Sequence, residues 1–145
     1  MITAPLLLVG GLATGWLINP PYDFLKLMTD HETKLLPILR VAHEASLREA
    51  GISLRAALIR TGYRGLRPRF GPADLLPIIE SQRTLVNQWI AYSKDKRTSG
   101  GWYLLESGEI GRVGAPESRM LFDALEEAVA HYIVRELDFW SGLAD

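Results

Sequence analysis

A chain of 145 residues, of which 48% are hydrophobic and 23% charged, has the size and composition of one globular domain with its own core. It contains no cysteine, which excludes disulfides, a thiolate nucleophile and cysteine-ligated zinc, and we expect a cytoplasmic protein. The net charge is −1, yet seven arginines and two glutamates lie between Arg40 and Arg69, whereas seven acids and two arginines lie between Glu117 and Asp145. Either these stretches pair within the fold, or each faces a different partner.

The first 22 residues carry no charge, and a run of that length can span a membrane. No basic residue precedes the run, and glycines and prolines interrupt it, so it lacks the features of a signal peptide. We therefore expect two buried segments, Ile2 to Val9 and Leu12 to Ile18, around a Gly10-Gly11 turn as possible N-terminal strands. A membrane anchor is the alternative, and a membrane partner is not expected.

Two short patterns suggest catalysis but lack the rest of the required site. Asn19-Pro20-Pro21-Tyr22 resembles the NPPY motif of amino-group DNA methyltransferases, but no glycine-rich turn of the required spacing precedes it. His31-Glu32 and His43-Glu44 each begin like a zinc-protease motif, but leucine stands at each second ligand position. We predict no catalytic residue, no metal and no cofactor, with an uncharacterised enzyme as the third alternative.

Helices are expected over most of the chain from Tyr22 to Tyr92. A break is predicted near Asp30 or Pro37, and Gly51 ends this first helical stretch. Ser53 caps a short helix from Leu54 to about Arg60, and residues 63–71 are rich in arginine, glycine and proline and are expected to form a loop. Pro72 begins another helical stretch, Pro77 divides it, and Ser81 caps a helix through Tyr92.

A hairpin and a long C-terminal helix complete the predicted fold, which is a mainly helical α+β domain spanning residues 1–145. Residues 94–101 form a charged loop before a strand from Trp102 to Leu105, and Ser107-Gly108 is a two-residue turn into a strand from Glu109 to Val113. The hairpin thus lies near residues 101–113. Ser118 is predicted to cap the last helix. One core is expected from the apolar stripes of two helices: Trp89, Ile90, Leu125, Val129, Tyr132 and Ile133.

Residues Val41 to Tyr63 can be drawn as a helix-turn-helix with Gly51-Ile52-Ser53 as the turn. The arginines on or just after the second helix, Arg55, Arg60 and Arg64, would then contact phosphates or guanine edges. An ordinary helix corner has the same sequence features. Nucleic-acid binding by a small regulator is therefore the alternative function.

The segment from Tyr92 to Tyr103 resembles a pattern of small bacterial immunity proteins, which neutralise toxin domains delivered between neighbouring cells. In that pattern, Trp89 and Tyr92 end a helix, a charged turn follows, a hairpin opens, and a closing helix such as 124–140 completes the unit. The resemblance covers residues 85–140 and implies binding and inhibition of a cognate toxin domain. The predicted partner-binding residues are Asp95, Lys96, Arg97, Trp102, Tyr103 and Glu106. A local ion-pair network that joins the helix to the hairpin is the alternative role of the charged turn.

Overall fold

The computed structural model describes residues 30–42, 54–95 and 100–143. Met1–Thr33 and Lys34–Asp145 are two compact units, and every contact given below lies within the second. The described residues combine helices with an antiparallel sheet, which confirms the α+β prediction with its hairpin and closing helix. The predicted N-terminal segments and Asn19-Pro20-Pro21-Tyr22 lie outside the described residues, and the prediction of one domain over residues 1–145 stays a prediction.

In the described part of the chain, five helices precede the sheet. They are α1 Asp30–Leu39, α2 Leu54–Thr61, α3 Tyr63–Leu66, α4 Pro72–Ser81 and α5 Arg83–Asp95, with a 3₁₀ turn at Arg67–Arg69 after α3. The predicted loop at residues 63–71 thus contains a short helix and a 3₁₀ turn. Tyr63 is only 1% exposed, and burial of this ring holds the segment against the rest of the fold.

The predicted division at Pro77 is wrong, because α4 continues through this proline to Ser81. Leu75, Ile78 and Ile79 are all buried on one side of the helix. Burial contributes about 1.5 to 3 kcal/mol for each such side chain, which outweighs a cost of about 3 kcal/mol for an internal proline. The break falls at Gln82 instead, and the Ser81 hydroxyl donates to the carbonyl of Ile78 at the end of α4 rather than capping α5.

The sheet has three antiparallel strands in the order β1 Trp102–Leu104, β2 Glu109–Arg112 and β3 Ala115–Leu121. The loop between β1 and β2 has three residues rather than the predicted two, since the Leu105 N–H donates to the Glu109 carbonyl at 2.9 Å. Gly108 closes this loop with a φ of 92°. A Cβ on Gly108 would stand 2.6 Å from the Phe122 carbonyl oxygen, so both the backbone conformation and the space require glycine.

Strand β3 replaces the helix start that was predicted at Ser118. The last helix, α6, is Leu125–Trp140. The Ser118 hydroxyl accepts from the Arg112 N–H at 2.7 Å and donates to the Ala115 carbonyl at 2.6 Å, beside a register shift between β2 and β3. Pairing with β2 overrides the local preference of serine for a helix start, and Pro116 is tolerated because β3 is an edge strand.

The core lies where α6 packs against α4, α5 and β1. Trp89 and Tyr132 are fully buried, and their rings meet edge to face with centroids 6.1 Å apart. The Trp89 indole N–H donates to the Leu39 carbonyl at 2.8 Å, which satisfies its polar group inside the core. The predicted core residues are buried with the exception of Leu125, which is half-buried at the start of α6.

Side chains from the helices cover the edge of β1 that faces away from β2. The Trp102 N–H donates to Glu136 Oε1 of α6 at 2.7 Å. The Leu104 N–H donates to Ser93 Oγ of α5 at 2.8 Å, and the same hydroxyl donates to the Leu104 carbonyl at 3.2 Å. The outward main-chain groups of β1 therefore have side-chain partners in place of a neighbouring strand.

Candidate partner-binding surface on the sheet

The two faces of the sheet differ in what covers them. Leu104, Ile110 and Met120 are aligned across the three strands, and the first two are buried against the helices. Because side chains alternate between faces along a strand, their neighbours point to the opposite side. We call this side the outer sheet face, and we define it by Tyr103, Leu105, Glu109, Arg119 and Leu121.

Tyr103 is held in a fixed position on the outer sheet face. Its ring lies over Gly111, where a Cβ would come within 2.5 Å of the Tyr103 hydroxyl. The hydroxyl donates to Glu109 Oε2 at 2.7 Å, and the Arg119 Nε lies 3.9 Å from the same oxygen. Desolvation and the hydrogen bond to Glu109 raise the pKa of Tyr103, so the hydroxyl remains a donor at neutral pH.

Two leucines flank this polar group and face water. Leu121 is 73% exposed and Leu105 is 46% exposed, one on each side of Glu109 across the sheet. Exposed apolar patches mark interaction surfaces, and tyrosine is enriched among interface anchors. Within residues 30–42, 54–95 and 100–143, Leu121 is thus left mostly uncovered and Leu105 about half covered.

The helix that leads into the predicted charged turn is joined to the hairpin loop. Lys94, near the end of α5, forms an ion pair with Glu106 in the hairpin loop, and this cation lowers the pKa of the Glu106 carboxyl. Asp95 is exposed at the last position of α5. Lys96 and Arg97 lie outside the described residues. The Lys94–Glu106 pair joins the helix to the hairpin, and Lys94 is the residue before the predicted charged turn.

Trp102 lies on the opposite side of the sheet from Tyr103. It is 8% exposed and lies on the inner face, with the Arg135 guanidinium 5.0 Å from its ring centroid. The structure therefore places Tyr103 on the outer sheet face, Glu106 in the hairpin loop, Asp95 at the end of α5 and Trp102 in the core. The leucines of the outer sheet face were not predicted as site residues, although the adjacent pair Leu104-Leu105 must place one side chain on each face of a strand.

Acids of the C-terminal stretch are used inside the fold. Glu136 is fully buried and accepts from the Tyr92 hydroxyl at 2.7 Å as well as from the Trp102 N–H. Asp138 binds Arg67 at 2.8 Å, which joins the basic stretch to the acidic stretch, and Glu126 forms an ion pair with Arg83. Ion pairs within the fold therefore neutralise part of the opposite charges of the basic and acidic stretches.

The arginines predicted for nucleic-acid binding lie on the surface formed by α2 and α3. Arg55, Arg60 and Arg64 are all exposed. Arg64 also donates from Nη1 to the Ser141 carbonyl at the end of α6. The second helix of the predicted helix-turn-helix is present as α2. The turn and most of the first helix of this motif lie outside the described residues.

Within the described residues, no group of three histidine, aspartate or glutamate side chains is placed to hold a metal ion. None of the described helices combines the length and the apolar composition needed to cross a membrane. Comparison of the chain with models of protein families, with curated proteins and with solved structures finds no match.

Proposed function

We propose that this chain is a non-catalytic protein of the bacterial cytoplasm that binds and inhibits a toxin domain through the outer sheet face. The observation that carries the proposal is the exposure of Leu121 and Leu105 on either side of the Tyr103–Glu109 hydrogen bond. Exposed apolar area around a rigid aromatic side chain is the arrangement that concentrates binding energy at protein interfaces. The resemblance of residues 85–140 to immunity proteins also supports the proposal.

The chemistry of this face fits a protein surface better than a small molecule. The apolar residues project from the flat side of a sheet, whereas small molecules are bound in concave pockets. Charges of both signs lie near the leucines, with Glu109 and Arg119 on the face and the Lys94–Glu106 pair at the adjoining hairpin loop. Such a rim selects a partner of complementary charge and increases the rate of association.

The test requires the toxin domain encoded by the neighbouring gene. We expect the chain to bind this domain in titration calorimetry and to restore growth of cells that express it. Leu121→Asp is expected to weaken binding at least tenfold, or about 1.4 kcal/mol, because a charge replaces an apolar contact. Ile59→Asp is the matched control, since Ile59 is 74% exposed but lies on α2.

Three results would contradict the proposal. One is a gene neighbourhood that contains no toxin domain, and another is a neighbouring toxin that the chain neither binds nor neutralises. The third is equal binding by the parent, Leu121→Asp and Ile59→Asp proteins, which would place the interface away from the outer sheet face.

Nucleic-acid binding remains the second candidate function because Arg55, Arg60 and Arg64 are all exposed and lie on the neighbouring helices α2 and α3. Fluorescence anisotropy with duplex DNA and with single-stranded RNA at two salt concentrations tests it. Binding that weakens with salt and is reduced by Arg60→Glu would support this function. Absence of binding at low salt would exclude nucleic-acid binding as a function. Binding that Arg60→Glu leaves unchanged would exclude these arginines as the site.

A further inference from the structure

A cleft of about 260 Å³ lies between α2, α3 and the end of α6. It belongs to the same compact unit as the sheet but is built from other elements. Its wall combines cationic, apolar and glycine residues, among them Arg55, Leu58, Ile59, Arg64, Gly65 and Trp140. Pockets for drug-sized ligands have volumes of about 300 to 1,000 Å³, so this cleft suits a smaller molecule.

The cleft carries positive charge that the nearby acid does not neutralise. Asp138, on the adjoining helix, accepts from Tyr63 Oη at 2.6 Å and from Arg67 Nε at 2.8 Å, and Arg67 balances its charge. Arg64 is positioned at the cleft by the hydrogen bond from its Nη1 to the Ser141 carbonyl, which uses one of the five donors of a guanidinium. Arg55 makes no ion pair within the described part of the chain. Two guanidinium groups at one small cleft favour an anion.

The rest of the wall favours an anion that carries an apolar group. Leu58 is buried beneath the cleft, whereas Ile59 is 74% exposed. Trp140 contributes an aromatic side chain. A Cβ added to Gly65 would meet nothing within 4 Å, which shows that the wall is open at this position. An inorganic anion would leave these apolar groups uncovered, but an aromatic or branched aliphatic group would cover them.

Two lining residues also carry unsatisfied donors. The indole N–H of Trp140 and the hydroxyl of Ser141 are buried and have no hydrogen-bond partner within the described residues. Buried polar groups in native proteins nearly always have a partner, so each such group requires an explanation. After a small rotation of either side chain, a ligand oxygen at this wall would provide the missing hydrogen-bond partner.

We propose that this cleft binds a small organic anion, in which a carboxylate or a phosphate ester is attached to an aromatic or branched aliphatic group. Arg55 and Arg64 hold the anion, and Ile59 and Trp140 contact the apolar group. The site does not depend on the outer sheet face or on toxin binding. It also differs from the nucleic-acid candidate, because Arg60 is not among the lining residues.

The experiment titrates the ¹⁵N-labelled protein with phenyl phosphate and with phenylacetate, while amide and indole N–H shifts are followed by NMR. We expect saturable shifts at Gly62, Gly65 and the Trp140 indole, with a Kd near or below about 1 mM for at least one anion. Benzyl alcohol, inorganic phosphate and acetate are controls that each lack one half of the ligand, and each is expected to bind at least tenfold more weakly. The tighter of the two anions identifies the acid group that the site prefers.

Three variants locate the site. Arg55→Gln is expected to weaken binding at least fivefold, because it removes one cation that has no ion pair in the described structure. Gly65→Leu is expected to abolish binding by filling the open wall, while its thermal transition remains two-state. Arg60→Gln is the matched control and is expected to bind like the parent protein.

The proposal is overturned if neither anion causes saturable shifts at these positions, or if benzyl alcohol binds as tightly as phenyl phosphate and phenylacetate. It is also overturned if a folded Gly65→Leu protein binds like the parent. Equal loss of binding in Arg55→Gln and Arg60→Gln would assign the effect to the general charge of α2 and would exclude the cleft as the site.

Discussion

Glu136 on the C-terminal helix accepts a hydrogen bond from the main-chain N–H of Trp102, the first residue of the sheet, at 2.7 Å. The other carboxylate oxygen accepts from Tyr92 Oη at 2.7 Å, near the end of α5. One fully buried side chain therefore connects three elements that are distant in sequence. Burial and the adjacent carboxylate raise the pKa of Tyr92, so its hydroxyl stays protonated and continues to donate.

Glu136→Ala is expected to lower the free energy of unfolding by about 2 to 4 kcal/mol, because it leaves two buried donors without their acceptor. Glu136→Gln is expected to cost less, since one oxygen remains. Urea unfolding followed by tryptophan fluorescence measures both values. Glu127→Ala is the control on the exposed side of the same helix and is expected to cost less than about 1 kcal/mol. Equal stability of the two alanine variants would contradict the role given to Glu136.

Val129→Asp is expected to lower stability by about 3 to 5 kcal/mol or to prevent folding, because Val129 is fully buried and its replacement would be an unpaired charge. Ile59→Asp makes the same chemical change at an exposed helical position and is expected to cost less than about 1 kcal/mol. Thermal melting of both proteins provides the comparison. A Val129→Asp protein that melts like the parent would show that the packing of α6 described here is wrong.

Gly108→Ala and Gly114→Ala separate backbone strain from lack of space. Both glycines have positive φ, 92° and 80°, but a Cβ meets the Phe122 carbonyl only at Gly108. Gly114→Ala is expected to cost about 1 kcal/mol from backbone strain, and Gly108→Ala is expected to cost about 2 kcal/mol or more. Denaturant titration of the two variants measures the difference, and a larger loss for Gly114→Ala would refute this account of the loop.

Acidification is expected to destabilise the protein partly through His131. Its ring stacks on Phe122 with centroids 4.7 Å apart, and burial, together with Arg135, lowers its pKa from the ordinary value of 6.5. His131 of the unfolded chain therefore binds a proton at a higher pH than His131 of the folded chain. The contribution of the neutral imidazole to stability is present above about pH 6.5 and is lost as the pH falls through the folded-state pKa. The parent should lose more unfolding free energy than His131→Gln between about pH 7.5 and pH 5. Equal slopes for the two proteins would contradict the expected shift.

Asp95→Lys is expected to weaken binding of the toxin domain more than it changes stability, because Asp95 is exposed at the end of α5, next to the Lys94 that binds Glu106 of the hairpin loop. A reversed charge at a desolvated contact costs about 2 to 5 kcal/mol in binding, whereas a reversed rim charge changes mainly the association rate and its salt dependence. Thermal melting and calorimetric titration of the same preparation distinguish the two effects. Lower stability with unchanged affinity of the folded protein would assign Asp95 to the structure.

The elements with long apolar periodicity could be predicted from the sequence. The stripe of α6, with Val129 and Ile133 facing the core, is readable at helical spacing, and so is the face of α5 that carries Trp89. The hairpin position also follows from strand-like residues around Ser107-Gly108. These features depend on local patterns, so the sequence alone contains them.

Features that depend on tertiary contacts could not be predicted. Ser118 has the local chemistry of a helix cap, but the pairing of β3 with β2 places it in a strand. Pro77 has the character of a helix breaker, but burial of the surrounding aliphatic residues keeps α4 continuous. Glu136 is seven residues after Val129 and therefore falls on the buried stripe, yet its acceptor role requires Tyr92 and Trp102, which only the folded chain brings near it.

Coverage of the outer edge of β1 by Ser93 and Glu136 also limits strand addition by another copy of the chain at this edge. An open strand edge is a template on which another chain can add a strand, and a sheet of three strands has two such edges. Here the β1 edge is closed by helix side chains, and Pro116 together with exposed Glu117 and Arg119 makes the β3 edge a poor template. Addition of a strand at the β1 edge therefore requires that α5 and α6 first separate from the sheet, so its rate depends on this local opening.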